Sequence, residues 1–220
     1  MTTTELTAWG HSCVRLERDG RRLVIDPGIL SVPDALTGAA GVLITHEHSD
    51  HVHAPQLRQA LDVDPALEVW GPPAVVIELS DGTVGDNRLH GVTAGDRFDA
   101  VGFDVEVLGE WHALAYPSIP RVVNVAYLID GSLLHPGDSF TVPAGRPVKS
   151  VLAPVSGPWL KIAETVDFIH AIAPRLVLPI HDATLSLPGK ALVDRLMRQL
   201  CPDVEYVRLP TADVLPLSMA

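Results

Sequence analysis

The stretch Thr45-His46-Glu47-His48-Ser49-Asp50-His51 constrains this chain more than any other feature. Three imidazoles and two carboxylates fall within six positions, directly after the apolar run Val42-Leu43-Ile44. A short continuous apolar run of that kind reads as a buried strand. The polar cluster therefore begins where a strand leaves its sheet. At spacing two, His46 and His48 converge on one point. Asp50 and His51 follow the turn and reach a second point close by. Imidazole and carboxylate together suit Zn²⁺, Mn²⁺ or Fe. A solvated loop has no need of three histidines in six positions, and protonated neighbours would repel unless a metal or an acid offset them.

Three further apolar runs end in a residue of the same kind. Phe103-Asp104-Val105-Glu106-Val107-Leu108 leads to His112, Ser132-Leu133-Leu134 leads to Asp138, and Leu176-Val177-Leu178-Pro179-Ile180 leads to His181. Sites in sheets with helical crossovers gather at strand ends. Around these runs the N-terminal third reads as short strands (residues 5–9, 13–17 and 22–25). Helical stretches near residues 55–61 and 73–79 follow. A strand-rich middle covers 88–92, 103–108, 122–129 and 132–134. The last third alternates: strand 151–155, a helix with an apolar stripe over 162–173, strand 176–180, helix 191–200 and a final strand 204–208. This order predicts an α/β chain of two sheets face to face with helices outside, an α/β/β/α layering. Its 220 residues suit a single domain spanning 1–220.

The pattern His46-x-His48-x-Asp50-His51, followed at long intervals by His112, Asp138 and His181, resembles the metallo-β-lactamase superfamily of dinuclear metallohydrolases. Gly10-His11-Ser12 and Ile25-Asp26-Pro27-Gly28 resemble the branch that contains ascorbate-6-phosphate lactonase-like proteins and a phospholipase D acting on N-acyl phosphatidylethanolamine. The resemblance implies a four-layer αββα sandwich with two mixed sheets. It implies two divalent ions, Zn²⁺ first, with Mn²⁺, Fe²⁺ or Ni²⁺ as alternatives. His46, His48 and His112 would hold one ion, Asp50, His51 and His181 the other, and Asp138 would bridge them. Ions roughly 3.5–4 Å apart share a bridging hydroxide that attacks a small ester, lactone or phosphoester, one ion polarising the oxygen under attack. Asp50 would also shuttle a proton.

Other residues carry open readings. Asp26 either accepts a proton from a ligand imidazole or simply forms the turn before Pro27. His11 lies near the metals or is a buried hydrogen-bonded histidine. His135 reads as a support or a structural residue, and His53 as the start of a helix. Tyr116, in the segment after His112, and Trp159 with Lys161, at a strand-to-helix junction, are candidates to line a substrate pocket. At that junction Trp159 would cover an apolar group, and Lys161 beside a helix N-terminus would receive an anion, unless the first packs and the second is solvated.

Composition narrows the alternatives. Lys and Arg total 16 against 27 Asp and Glu, a net charge of −11 with no basic run. This argues against nucleic acid and anionic membranes as partners and disfavours an RNA-processing nuclease. A small-molecule substrate is expected, and the oligomeric state is open. No apolar run approaches a membrane span, and the N-terminus lacks the marks of a secretory signal. Cys13 and Cys201 then read as reduced packing residues of a cytoplasmic protein, which argues against an exported antibiotic-degrading enzyme. A di-iron oxidoreductase would put a carboxylate at His48. A catalytically idle or sensing metal-binding module is the remaining alternative, and the complete ligand set disfavours it.

Overall fold

The structure is a computed structural model that describes residues 3–80 and 86–219. The chain enters through β1 (Thr4–Gly10), β2 (Cys13–Arg18) and β3 (Arg21–Ile25), then β4 (Gly41–Leu43), helix α1 (Ala54–Val63), β5 (Glu68–Gly71), α2 (Pro73–Leu79) and β6 (Leu89–Gly91). The second sheet starts with β7 (Arg97–Ala100), β8 (Phe103–Leu108), β9 (Ala126–Ile129) and β10 (Leu133–His135). It continues through β11 (Ser150–Pro154), α3 (Ile162–Ile172), β12 (Leu176–Ile180), α4 (Leu187–Leu200) and β13 (Glu205–Tyr206). The last strand, β14 (Val214–Leu217), returns to the first sheet.

The two seven-stranded sheets run β14-β1-β2-β3-β4-β5-β6 and β13-β12-β11-β10-β9-β8-β7. Each is mixed in the same way. In the first, β14 to β3 pair antiparallel and β3 to β6 parallel. In the second, β7 to β10 pair antiparallel and β10 to β13 parallel. The parallel halves need helical crossovers, and these place helices on the outer faces.

Period-two alternation explains the layers. Leu23, Ile25 and Leu43 point inward to meet Val105, Leu176, Leu178 and Ile180 of the other sheet. Their neighbours Val24, Val42 and Ile44 point outward, under Leu57 and Leu61 of α1 and Val75 and Leu79 of α2. On the far side Val151, Ala153 and Val177 lie under Phe168, Ile169, Val193 and Met197 of α3 and α4. Where both faces are covered, as in β4, β11 and β12, the strands read as near-continuous apolar runs, whereas β8 alternates and leaves Asp104 exposed. The αββα layering expected from the sequence is the fold observed.

Four expectations need correction. β13 is only Glu205–Tyr206 and is not the last strand, because β14 closes the first sheet beside β1. Pro216 suits β14, whose position at a sheet edge tolerates a residue without a donor. β5 and β7 were not anticipated; each has four residues, too few to show a period. Of the expected strand 122–129 only Ala126–Ile129 joins the ladder; residues 122–125 cross toward the first sheet, where Val125 N donates to Thr45 O. Helix α4 starts at Leu187, before the expected 191: Ser186 Oγ accepts from Gly189 N and Pro188 occupies the first turn, a start masked by its Pro and Gly.

Candidate metal centre

The site lies at the strand ends. β4 finishes at Leu43, and the chain turns over residues 48–51, where His51 N donates to His48 O. His11, Asp26 and His181 are the first residues after β1, β3 and β12, each with a left-handed backbone at φ 53°, 52° and 58°. Such non-glycine conformations cost energy and cluster at functional sites. The turn is pressed close to the end of β3. A Cβ on Gly28 would lie 2.0 Å from the carbonyl of Asp50, so only glycine fits there.

Two groups of potential ligand atoms result, those within each group lying within 4.8 Å of one another: His46, His48, His112 and Asp138, and His11, Asp50, His51 and His181. Asp138 touches both. Its Oδ2 lies 3.3 Å from His112 Nε2 and 3.1 Å from His181 Nε2, and its Oδ1 lies 3.1 Å from His51 Nε2. All seven residues expected as ligands therefore converge, with Asp138 between the groups.

Hydrogen bonds sort the histidines by tautomer. Asp26, fully buried, accepts from Thr45 N (2.8 Å), Thr45 Oγ1 (2.8 Å) and His51 Nδ1 (2.7 Å). A hydroxyl has one hydrogen, so Thr45 Oγ1 must accept from His46 Nδ1 at 3.0 Å. His112 Nδ1 donates to Ala113 O at 2.6 Å. His46, His51 and His112 thus carry a hydrogen at Nδ1 and can turn an Nε2 lone pair to the centre. His11 and His135 are the reverse. Each Nδ1 accepts a backbone N–H, from Ala183 and Gly137 respectively. Neutral His135 then donates Nε2–H to Ser12 O, and neutral His11 donates to Asp50 Oδ2 at 3.1 Å. Of the open readings, His11 is both buried and at the site, where it orients Asp50. His135 uses both nitrogens on backbone, and Asp26 supports a ligand imidazole as well as forming a turn.

Cations fit this centre. His51 Nε2, His112 Nε2, His181 Nε2 and Asp138 Oδ1 are buried without a well-formed hydrogen bond, although they lie close together. Without a metal, protons take part of that role. Burial opposes charge on His51, but Asp138 and Asp26 outweigh it and hold the imidazole well above its ordinary range. His181 is likewise opposed by burial yet raised to about 9 by Asp138 and Asp50. Burial, with His51 beside it, pushes His46 well below its usual value. Burial opposes ionisation of Asp138, but His51, His112 and His181 hold it well below the carboxylate range.

The expected pocket residues divide. Trp159 is buried and donates Nε1–H to Asp138 Oδ2 at 3.1 Å. Its ring sits 5.5 Å from that of His112 and 5.7 Å from that of His181, so it packs over both groups. Tyr116 is 64% exposed. Lys161 is exposed, and its backbone N–H is taken by the Glu164 carboxylate at 2.8 Å; this correction leaves that helix start with its own anion. Sequence reasoning passed over Thr45 and Asn124. Asn124 Oδ1 accepts from Asp138 N and its Nδ2 donates to Pro136 O, which pins the Asp138 loop. Thr45 stood inside the histidine motif; nothing in the sequence marked Asn124.

Residues 5–181 match the profile described as "Beta-lactamase superfamily domain". Protein Rv0786c of Mycobacterium tuberculosis is 36% identical over 194 residues, 86% of this chain and 88% of its own. A protein of Xanthobacter autotrophicus named "UPF0173 metal-dependent hydrolase" is 28% identical over 125 residues, covering 53% of this chain and 51% of its own. Among solved structures, Igni18 of Ignicoccus hospitalis, titled a novel metallo hydrolase, superposes with a TM-score of 0.75 at 20% identity, over 98% of this chain and 99% of that one.

Proposed function

Because this chain belongs to the metallo-β-lactamase superfamily, we propose that it is a metal-dependent hydrolase of a small ester, lactone or phosphoester. The observation that carries the reading is Asp138, whose two oxygens face nitrogens of two separate ligand groups. His46, His48 and His112 would hold one divalent ion and Asp50, His51 and His181 the other, with Asp138 shared. Such ions, zinc first among them, supply Lewis acidity and bring the pKa of water down toward neutrality.

The chain's own residues do the rest. Asp26 and Thr45 hold His51 and His46 with their Nε2 lone pairs inward. Asp138 sets the spacing between the groups, and Trp159 and Asn124 fix Asp138. Asp50 is the more exposed carboxylate of the centre. His11 and His181 flank its Oδ2, which leaves Oδ1 to take the proton of the attacking water and return it to the leaving oxygen. The net charge of −11 supports a small-molecule substrate over a nucleic acid. No helix among the described residues is long and apolar enough to cross a membrane. Free, buried Cys13 and Cys201 suit a cytoplasmic setting.

Elemental analysis of the purified, reconstituted chain is expected to give close to two divalent ions. Hydrolysis of p-nitrophenyl esters, lactones or bis-p-nitrophenyl phosphate should be lost in chelator and restored by Zn²⁺. A chain that binds no metal, or that binds two and cleaves none of these, overturns the reading.

A further inference from the structure

A cleft of about 460 Å³ opens beside the second ligand group, lined by His11 but by none of Tyr116, Trp159 and Lys161. It forms where the two sheets part. Leu6 and Val14 wall it from the first sheet, Leu178 and Ile180 from the second, and Leu30 and Val32 form its lip. That volume lies within the range of small-ligand pockets. His11 is a wall of the cleft and, through Nε2, the partner of Asp50. His11 is therefore a wall shared by the cleft and the proposed hydrolytic centre.

The charged groups at the cleft are already paired. Lys190 Nζ lies 3.1 Å from Asp182 Oδ2. Arg208 pairs with Asp194 at 2.7 Å and also with Asp182. Two cations thus meet two carboxylates, and the cleft asks for no ion from a ligand. The lip carries an unmet apolar surface: Leu30 and Val32 are 41% and 38% exposed, and Ile29 on the same loop is 53% exposed beside them. That loop is held in place, since Ile29 N donates to Ser49 O and Val32 N to Trp9 O, both at 2.9 Å. A fixed, exposed apolar lip over a cleft whose charged groups are paired among themselves marks a ligand site.

We infer that the cleft beside His11 receives an uncharged apolar arm of the substrate, an acyl or alkyl chain of several carbons, and so presents the scissile group at Asp50 and His181. The binding rests on the cleft alone; its place in a substrate rests on the hydrolase reading above.

The test separates the two. Calorimetry with octan-1-ol and propan-1-ol needs no catalysis. Octan-1-ol is expected to bind at least tenfold more tightly. Ala8→Phe fills the cleft from β1. The pair Leu30→Asn with Val32→Asn makes the lip polar, and position 32 caps the 3-10 turn Pro33–Leu36, where Asn is favoured. Both variants should lose at least tenfold in octan-1-ol affinity while keeping the wild-type melting curve and metal content. With p-nitrophenyl acetate, butyrate, hexanoate and octanoate, KM should fall with chain length in wild type and stay flat in the lip variant. Equal binding of the two alcohols, or wild-type octan-1-ol affinity in both variants, overturns the inference whatever the esters do. Selective octan-1-ol binding without cleavage of any hydrolysable probe would uphold the cleft and overturn the hydrolase reading instead.

Discussion

Asp26→Asn changes one atom and should disturb both the fold and the centre. The carboxylate accepts three hydrogen bonds, two of them at Oδ2, from Thr45 Oγ1 and His51 Nδ1. In the amide one oxygen can still serve Thr45 N, but an NH₂ group then faces two donors. Breaking a buried charged pair costs about 3–5 kcal/mol. For a chain of this length that corresponds to a fall in melting temperature of about 10 °C. The local remedy is for His51 to move its hydrogen from Nδ1 to Nε2, so that Nδ1 accepts from the amide. That removes the lone pair His51 turns to the centre, and loss of such a supporting partner lowers metal affinity by about 10- to 100-fold. Two readouts follow from one substitution. Thermal melting in chelator reports the structural loss, and competition with a chromophoric chelator reports Zn²⁺ affinity. Thr45→Val is a milder comparison, because it removes the hydroxyl that His46 and Asp26 share but leaves the Asp26–His51 bond. Unchanged metal affinity in Asp26→Asn, even with a lower melting temperature, would refute the tautomer reasoning.

Trp159→Phe keeps an aromatic ring over the centre but removes the donor to Asp138 Oδ2; a hydrogen bond to a charged group contributes about 1.5 kcal/mol or more, so Zn²⁺ affinity should fall about tenfold, as chelator competition would register. Asp138→Ala should lower the metal content of both groups, whereas His135→Ala, which loses only bonds to Ser12 O and Gly137 N, should lower the melting temperature and keep the metal; elemental analysis with melting curves decides. His181, raised to about 9, and His51, raised well above its ordinary range, hold protons near pH 7 in the metal-free chain, so Zn²⁺ must displace them and affinity should climb up to about pH 9, with proton release measurable by calorimetry in buffers of different ionisation enthalpy. The stabilisation from protonated His181 is fully present below its ordinary 6.5 and is lost as pH rises through about 9, so chelated protein should melt lower across that window while metal-loaded protein does not.

The candidate ligands were legible in the sequence because metal chemistry admits few residue types and because each sits just beyond a buried apolar run. The runs at 176–180 and near 42–44 were legible because two covered faces leave no polar alternation, and 103–108 because its period-two alternation buries Phe103, Val105 and Val107 while Asp104 is exposed. The short strands β5 and β7 show no period, and β14 takes its meaning from β1, more than 200 residues earlier in the chain. The roles of His11 and His135 could not be separated from composition or spacing, since both are buried histidines near strand ends. Backbone N–H groups of Ala183 and Gly137 set their tautomers, and only the tertiary fold brings Ala183 to His11, 172 residues away. Trp159 read equally well as a pocket cover or a packing residue until the fold set its indole N–H against Asp138. Sequence determined which residues can bind a cation, because that is a property of side-chain atoms. Which nitrogen offers its lone pair, which carboxylate faces both groups and where an apolar arm can lie were decided by tertiary structure, because they depend on distances and hydrogen-bond partners between segments far apart in the chain.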